Sequence, residues 1–75
     1  MSEITFMVLE ESLGKIVLVK LKGGKALRGL LEGYDKHLNL VLSRTEDVTN
    51  GNEGVKLGSV IIRGDNVVLI SPVGG

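Results

Sequence analysis

Two short polar inserts interrupt otherwise apolar stretches of this 75-residue chain. The first, Asp35-Lys36-His37-Leu38-Asn39, precedes Leu40-Val41-Leu42, and the second, Arg63-Gly64-Asp65-Asn66, precedes Val67-Val68-Leu69-Ile70. An imidazole and a guanidinium both stack on a nucleobase, while an amide and a carboxylate pair with the donors and acceptors on its edge. The inserts therefore supply candidate residues for a nucleobase site, namely Asp35, His37, Asn39, Arg63 and Asp65, with Gly64 between the last two.

Each candidate also has an ordinary structural interpretation. Asp35 and Asn39 are typical turn residues that hydrogen-bond nearby backbone N–H groups, and Asp65 suits a turn equally well. Gly64 is most simply explained as a residue that needs a positive φ. The co-occurrence of these groups at two strand ends favours a shared site, because adjacent strand ends of a small barrel can be brought together.

The elements that must position the inserts follow from hydrophobic periodicity. Phe6, Leu9 and Leu13 recur at helical spacing, which predicts one short helix over about residues 5–13, with Thr5 as N-cap and Gly14 as the C-terminal stop.

Beyond Gly14 the apolar period changes to two, which predicts strands. Gly23-Gly24 indicates a hairpin turn, and Gly29 and Gly33 on one face of strand two indicate a bulge or tight bend. The segments predicted after strand one are strand two over about 25–34, strand three over about 38–44, a long polar loop over about 46–54, strand four over about 55–63, a tight turn over 64–66 and strand five over about 67–71.

A helix followed by five strands predicts a mainly β protein built as a small antiparallel barrel. Periodicity alone leaves an OB-like and an SH3-like barrel equally acceptable.

The paired inserts resemble the two-part Sm motif of the Sm and Sm-like RNA-binding proteins, in particular the archaeal type. Asp-x-His-x-Asn follows a Gly-rich strand, and Ile-Arg-Gly-Asp-Asn-Val-Val comes about twenty-five residues later. The resemblance implies a short N-terminal helix followed by a strongly bent five-stranded antiparallel SH3-like barrel. It also implies a single domain over 1–75, with motif one over about 15–45, a variable loop over about 46–54 and motif two over about 55–72.

The same resemblance implies one nucleotide pocket per subunit and a role for each candidate. His37 and Arg63 correspond to the two sides of a sandwich around a base, usually uracil, and Asn39 to the amide that reads the base edge. The expected roles of the others are ordering of the first loop by Asp35 and contact beside base and ribose by Gly64 and Asp65. Many family members carry a larger aromatic where this chain has His37. The imidazole has less surface than such a ring, so we expect it to contribute less to stacking. The implied ligand is uridine-rich single-stranded RNA, bound by an RNA chaperone or ribonucleoprotein scaffold.

The short length of the chain and the open edges of its predicted strands indicate an oligomer. A chain this short buries only roughly 60% of its unfolded surface, and no cysteine is present to supply a disulfide or a thiolate zinc site. Strands four and five are strongly apolar, and pairing their open edges head to tail closes a ring. The resemblance favours a homo-oligomeric ring of seven subunits, with six as the alternative.

Charge and composition narrow the function classes. Nine basic and nine acidic residues balance, although the segment from Lys15 to Arg28 holds five bases and no acid. Either a solvated hairpin or a second RNA surface fits this segment.

No apolar run approaches the roughly 18 residues of a membrane span, so we expect a cytoplasmic protein without a membrane partner. We expect no cofactor, no metal and no enzymatic activity, since no serine or cysteine nucleophile has an evident partner. A protein-binding scaffold ring with little RNA affinity remains the alternative.

Overall fold

A computed structural model describes residues 3–51 and 54–73 of the protein, with side chains from residue 5 onward. The elements along the chain are α1 (Glu3–Ser12), β1 (Ile16–Leu21), β2 (Ala26–Tyr34), β3 (Leu40–Asp47), β4 (Val55–Ile62), a 3₁₀ turn (Gly64–Asn66) and β5 (Val67–Pro72). The strands form one antiparallel sheet in the order β4-β3-β2-β1-β5. The predicted mainly β fold, a helix followed by five antiparallel strands, is confirmed.

Helix α1 lies over the sheet, but its start differs from the prediction. It begins at Glu3, so Thr5 lies inside the helix and its assignment as N-cap is wrong. The predicted stop is confirmed, because Gly14 follows the helix with φ +77°. Leu9, only 3% exposed, anchors the helix in the core, and the ring of Phe6 stacks on Tyr34 at a centroid distance of 6.2 Å.

Alternation of buried and more exposed residues along β1, β2 and the start of β3 places one face of the sheet in the core. Val17 and Val19 in β1 are fully buried, and their partners across the sheet continue the same layer. The buried apolar core consists of Leu9, Val17, Val19, Leu27, Leu31, Leu40, Leu42 and Ile62. Burying each of these side chains stabilises the fold by roughly 1.5–3 kcal/mol before the entropic cost of ordering it.

Strand β3 occupies a different range from the predicted one, beginning at Leu40 and ending at Asp47 rather than running from about 38 to 44. The sequence places its two terminal acids in the predicted loop because they are polar. They pair instead with cations of β2 and the preceding turn, Arg28 to Glu46 at 2.8 Å and Lys25 to Asp47 at 3.4 Å. The loop after β3 is therefore shorter than predicted, and residues 52–53 of it lie outside the described part of the chain.

Close approach between β2 and β3 explains one of the two glycines that predicted bending. The register shifts between Arg28 and Leu30, and a Cβ added to Gly29 would lie 3.0 Å from Thr45 Oγ1 and 3.1 Å from the Ser43 carbonyl oxygen. The predicted bulge at Gly29 is confirmed. A second register shift falls between Leu31 and Gly33, where an added Cβ would meet nothing within 4 Å.

The strand order leaves β4 and β5 at the two edges of the sheet. Several of their large apolar side chains are exposed, namely Val55, Leu57, Ile61, Val68 and Leu69. Unpaired edges that carry apolar side chains favour pairing with another chain. Among the described residues, no helix has the length and apolar character to cross a membrane.

Substitutions at the contact between Gly29 and Thr45 should change stability in opposite directions. Gly29→Ala should lower the free energy of unfolding by about 1–3 kcal/mol, because its methyl group would press on a buried neighbour. Thr45→Val should raise it by about 1 kcal/mol, because the buried Thr45 hydroxyl has no hydrogen-bond partner within residues 3–51 and 54–73. Thermal unfolding at one protein concentration measures both. Gly33→Ala is the matched control, and a Gly29→Ala variant as stable as that control would contradict the assigned contact.

Candidate nucleic-acid interface

The first insert folds into a tight turn around the carboxylate of Asp35. Asp35 Oδ1 accepts hydrogen bonds from the backbone N–H groups of His37 (2.9 Å) and Asn39 (3.0 Å). The N–H of Leu38 donates to the Asp35 carbonyl at 3.0 Å, and Leu38 itself adopts φ +62°. The carboxylate thus satisfies backbone donors that a turn leaves unpaired, and it fixes the course of the loop between β2 and β3.

The Asn39 side chain joins this loop to the second insert. Its Nδ2 donates to Asp35 Oδ2 at 2.9 Å, and its Oδ1 accepts from the N–H of Gly64 at 2.8 Å. A carboxylate only accepts and a backbone N–H only donates, so these two partners determine which way the amide points. The ends of two connections 25 positions apart are therefore held together by one side chain.

Gly64 is required by close backbone packing. A Cβ at this position would collide with the carbonyl oxygen of His37 and would lie 2.9 Å from the carbonyl carbon of Leu38. Gly64 is not among the positive-φ residues of the described chain, so the interpretation from φ is wrong. The absence of a side chain lets the second loop lie directly against the first.

The two loops line one open cleft on the surface, which we call the base cleft. Its lining residues are Lys36, His37, Leu38, Asn39, Arg63, Gly64 and Asp65. His37 and Arg63 are both exposed in it, one from each loop. Arg63 Nε lies 3.8 Å from Asp65 Oδ1, but these side chains are 80% and 68% exposed, so this ion pair holds the guanidinium only weakly.

The structure brings together all the residues predicted from the sequence, with one difference in position. Five of them line the base cleft, whereas Asp35 is not a lining residue and contacts the first loop through its backbone N–H groups and through the Asn39 side chain. Lys36 and Leu38 also line the cleft and were not predicted. The signal for Lys36 was present, since it is a cation inside the first insert; the positive φ of Leu38 had no sequence signal.

Asn39 keeps two unused hydrogen-bonding positions at the base cleft. After the bonds to Asp35 and Gly64, the amide retains one N–H and one oxygen lone pair. Uracil offers a carbonyl and a ring N–H side by side, which matches this pair. In the same placement, cytosine would set an unprotonated ring nitrogen against the amide oxygen and leave that oxygen unpaired.

Hydrogen bonds lower the pKa of the Asp35 carboxyl below its ordinary value. The bond from the Asn39 side chain contributes most, and the backbone N–H groups of Asn39 and His37 and the charge of His37 act in the same direction, while desolvation opposes them. Asp35 therefore remains ionised, and the turn remains ordered, over the whole neutral and mildly acidic range.

The basic segment from Lys15 to Arg28 is partly neutralised in the folded chain. Lys25 pairs with Asp47 and Arg28 with Glu46, so acids distant in sequence compensate two of its cations. This pairing weakens the interpretation of the segment as a separate basic RNA surface.

A short helix on a bent five-stranded antiparallel sheet, with a base cleft between the β2–β3 and β4–β5 connections, defines the Sm class of small β proteins. The sequence model of the LSM domain matches residues 7–72, and the chain belongs to the LSM domain family.

Relatives and solved structures agree with this membership. A protein of Archaeoglobus fulgidus named as an snRNP Sm-like protein is 54% identical over 68 residues, which cover 91% of this chain and 88% of that protein. The structure of the Pyrococcus abyssii Sm protein in complex with a uridine heptamer has 48% identity and a TM-score of 0.85, covering 91% of this chain and 96% of that chain. The P. aerophilum Sm heptamer structure has 41% identity and a TM-score of 0.91, with 100% of both chains covered.

The lowered pKa of Asp35 predicts how the turn responds to acid. Because the folded pKa lies below the unfolded value, the stabilisation is complete above the ordinary pKa of 3.8 and is lost as the pH falls through the lower, folded value. The side-chain amide signal of Asn39, followed by NMR during acid titration, should shift with a midpoint below 3.8. Asp35→Asn should abolish this titration, and a midpoint at or above the ordinary value would contradict the hydrogen-bonding scheme.

Proposed function

We propose that the protein is a ring-forming RNA-binding protein that holds uridine-rich single-stranded RNA, one base per subunit, as an RNA chaperone or ribonucleoprotein scaffold. The observation that carries this proposal is the orientation of Asn39, whose free donor and acceptor match uracil. The Pyrococcus abyssii Sm protein, whose structure was solved with a uridine heptamer, supports the ligand class.

In this proposal the candidate residues have different roles in binding. His37 and Arg63 stack on the two faces of the base, which contributes roughly 1–3 kcal/mol per base with little sequence preference. Asn39 supplies the preference through the base edge, and Asp35 holds Asn39 in place. Gly64 and Asp65 border the base and ribose, and the cation of Lys36 adds attraction for the phosphates.

We propose a homo-oligomeric ring of seven subunits, formed by pairing β4 of one subunit with β5 of the next. This contact would satisfy both open edges of the sheet and cover exposed apolar side chains such as Ile61, which is 76% exposed, and Val68, which is 65% exposed. Solved archaeal Sm heptamers support the number seven. A ring repeats each base cleft around one axis, so clefts of modest affinity act together on one RNA strand.

Three further features belong to this proposal. The chain from 1 to 75 forms a single domain, it acts without catalysing a reaction, and it works in the cytoplasm.

Base preference tests the site directly. Asn39→Ala should reduce the preference for oligo-U over oligo-C, whereas Arg63→Ala should weaken binding of both ligands by about tenfold, which is the loss of stacking on one face. Fluorescence titrations with both oligonucleotides provide the measurement, and the ratio of the two affinities is the decisive quantity.

Asn66→Ala is the matched control for Asn39→Ala, because Asn66 is an exposed asparagine of the second loop that does not line the base cleft. An unchanged oligo-U to oligo-C ratio in an intact Asn39→Ala ring would refute the assigned role. Protein binding without oligo-U affinity would instead favour the scaffold ring.

Assembly provides an independent test of the edge pairing. The unaltered protein should sediment as a multimer even when dilute, because an isolated 8.0 kDa chain would expose both edges. Ile61→Lys places a charge in the proposed contact and should shift the population towards monomer. A dominant monomer for the unaltered protein would exclude the ring.

A further inference from the structure

An arginine in the middle of β3 adopts a backbone conformation that suits a different residue. Arg44 has φ +52° at an irregularity where Leu42 pairs with Val60 and Thr45 pairs with Gly58. The left-handed region is unfavourable for residues with a Cβ, and asparagine, aspartate or glycine adopts it most readily. The geometry of the bulge therefore favours a small residue and does not explain an arginine.

The local structure does not use the Arg44 guanidinium either. Arg44 is exposed, and within residues 3–51 and 54–73 it forms no ion pair. The adjacent bulge residue, by contrast, has a structural role, since the Ser43 hydroxyl donates to Glu32 Oε2 at 2.6 Å. A residue that strains the backbone without a local contact points to a function of its charge.

Arg44 lies in a shallow cleft between β3 and β4, which we call the bulge cleft. Its lining residues are Arg44, Thr45, Glu46, Lys56 and Gly58. Lys56 is the β4 partner of Glu46, and the Glu46 carboxylate already accepts from Arg28 at 2.8 Å. Arg28 therefore compensates the only carboxylate that lines the cleft, and neither Arg44 nor Lys56 forms an ion pair with any described residue, so two cations remain to attract an anion.

The bulge cleft is separate from the base cleft, because the residues that line the base cleft lie before β3 and after β4. Arg44 follows Asn39 by five positions, a separation of roughly 16 Å at the rise of a β-strand. A nucleotide bound at Asn39 cannot reach this far, whereas the continuing strand of a longer RNA can.

We propose that the bulge cleft is a second RNA contact, in which Arg44 and Lys56 bind phosphodiester oxygens of the strand that extends from the base cleft. This inference rests on the proposed RNA-binding function and adds a site to it. A phosphate contact carries no base information, so the bulge cleft should add affinity and salt dependence without altering base preference.

Arg44→Asn separates the charge from the backbone conformation, because asparagine tolerates the left-handed region and carries no charge. The variant should keep its ring and have an equal or higher thermal midpoint. For long oligo-U, the slope of log affinity against log salt should fall by about 0.7, the value for one phosphate contact on a single strand. The oligo-U to oligo-C ratio and the binding of uridine monophosphate, followed by NMR, should not change.

Three companion variants complete the experiment. Lys56→Gln should reduce the salt slope as Arg44→Asn does, and Arg44→Lys should restore most of it. Lys22→Gln is the matched control, since it removes an exposed cation near the β1–β2 turn outside both clefts and should leave the slope unchanged.

The outcomes distinguish this site from the base cleft. If the unaltered protein binds oligo-U with a preference that depends on Asn39, but Arg44→Asn and Lys56→Gln leave the salt slope unchanged, the bulge cleft is not an RNA site. Loss of the ring in Arg44→Asn would show that the arginine pairs with a neighbouring subunit and would also overturn the inference. If the unaltered protein binds no oligo-U, the proposed function and this site are both wrong.

Discussion

One amide side chain connects the two loops on which the candidate site depends. Asn39 donates to the Asp35 carboxylate and accepts from the Gly64 N–H. A flipped amide would set oxygen against oxygen and N–H against N–H, so one orientation is strongly favoured. The base cleft is therefore organised before any ligand arrives, so that little of the free energy of binding is needed to order the Asn39 side chain.

Glycine is required at two positions of the fold, because other parts of the chain approach the backbone closely there. At Gly64 the second loop lies against the His37 carbonyl, and at Gly29 strand β2 lies against Thr45. The first contact joins the loops of the base cleft, and the second accompanies the bulge in β2. Both loops of the base cleft begin where a strand ends, the first after β2 and the second after β4.

Two ion pairs join the end of β3 to β2 and to the turn before it. Lys25 and Arg28 pair with Asp47 and Glu46, which keeps the end of β3 in the sheet and removes much of the apparent basic patch. The exposed cations of the two clefts contrast with these pairs. A chain with zero net charge can thus retain local positive sites, and a ring would repeat them around its axis.

The sequence alone determined the kinds of element, the alternation of β1 and β2 and the two polar inserts, because each of these depends on neighbours along the chain. It did not determine the end of β3, since Glu46 and Asp47 become strand residues through cations of the β1–β2 turn and β2. Nor did it reveal why position 64 is glycine or that Arg44 has a positive φ. Only the tertiary structure decided these features, because strand register and close backbone contact depend on residues that are distant in sequence.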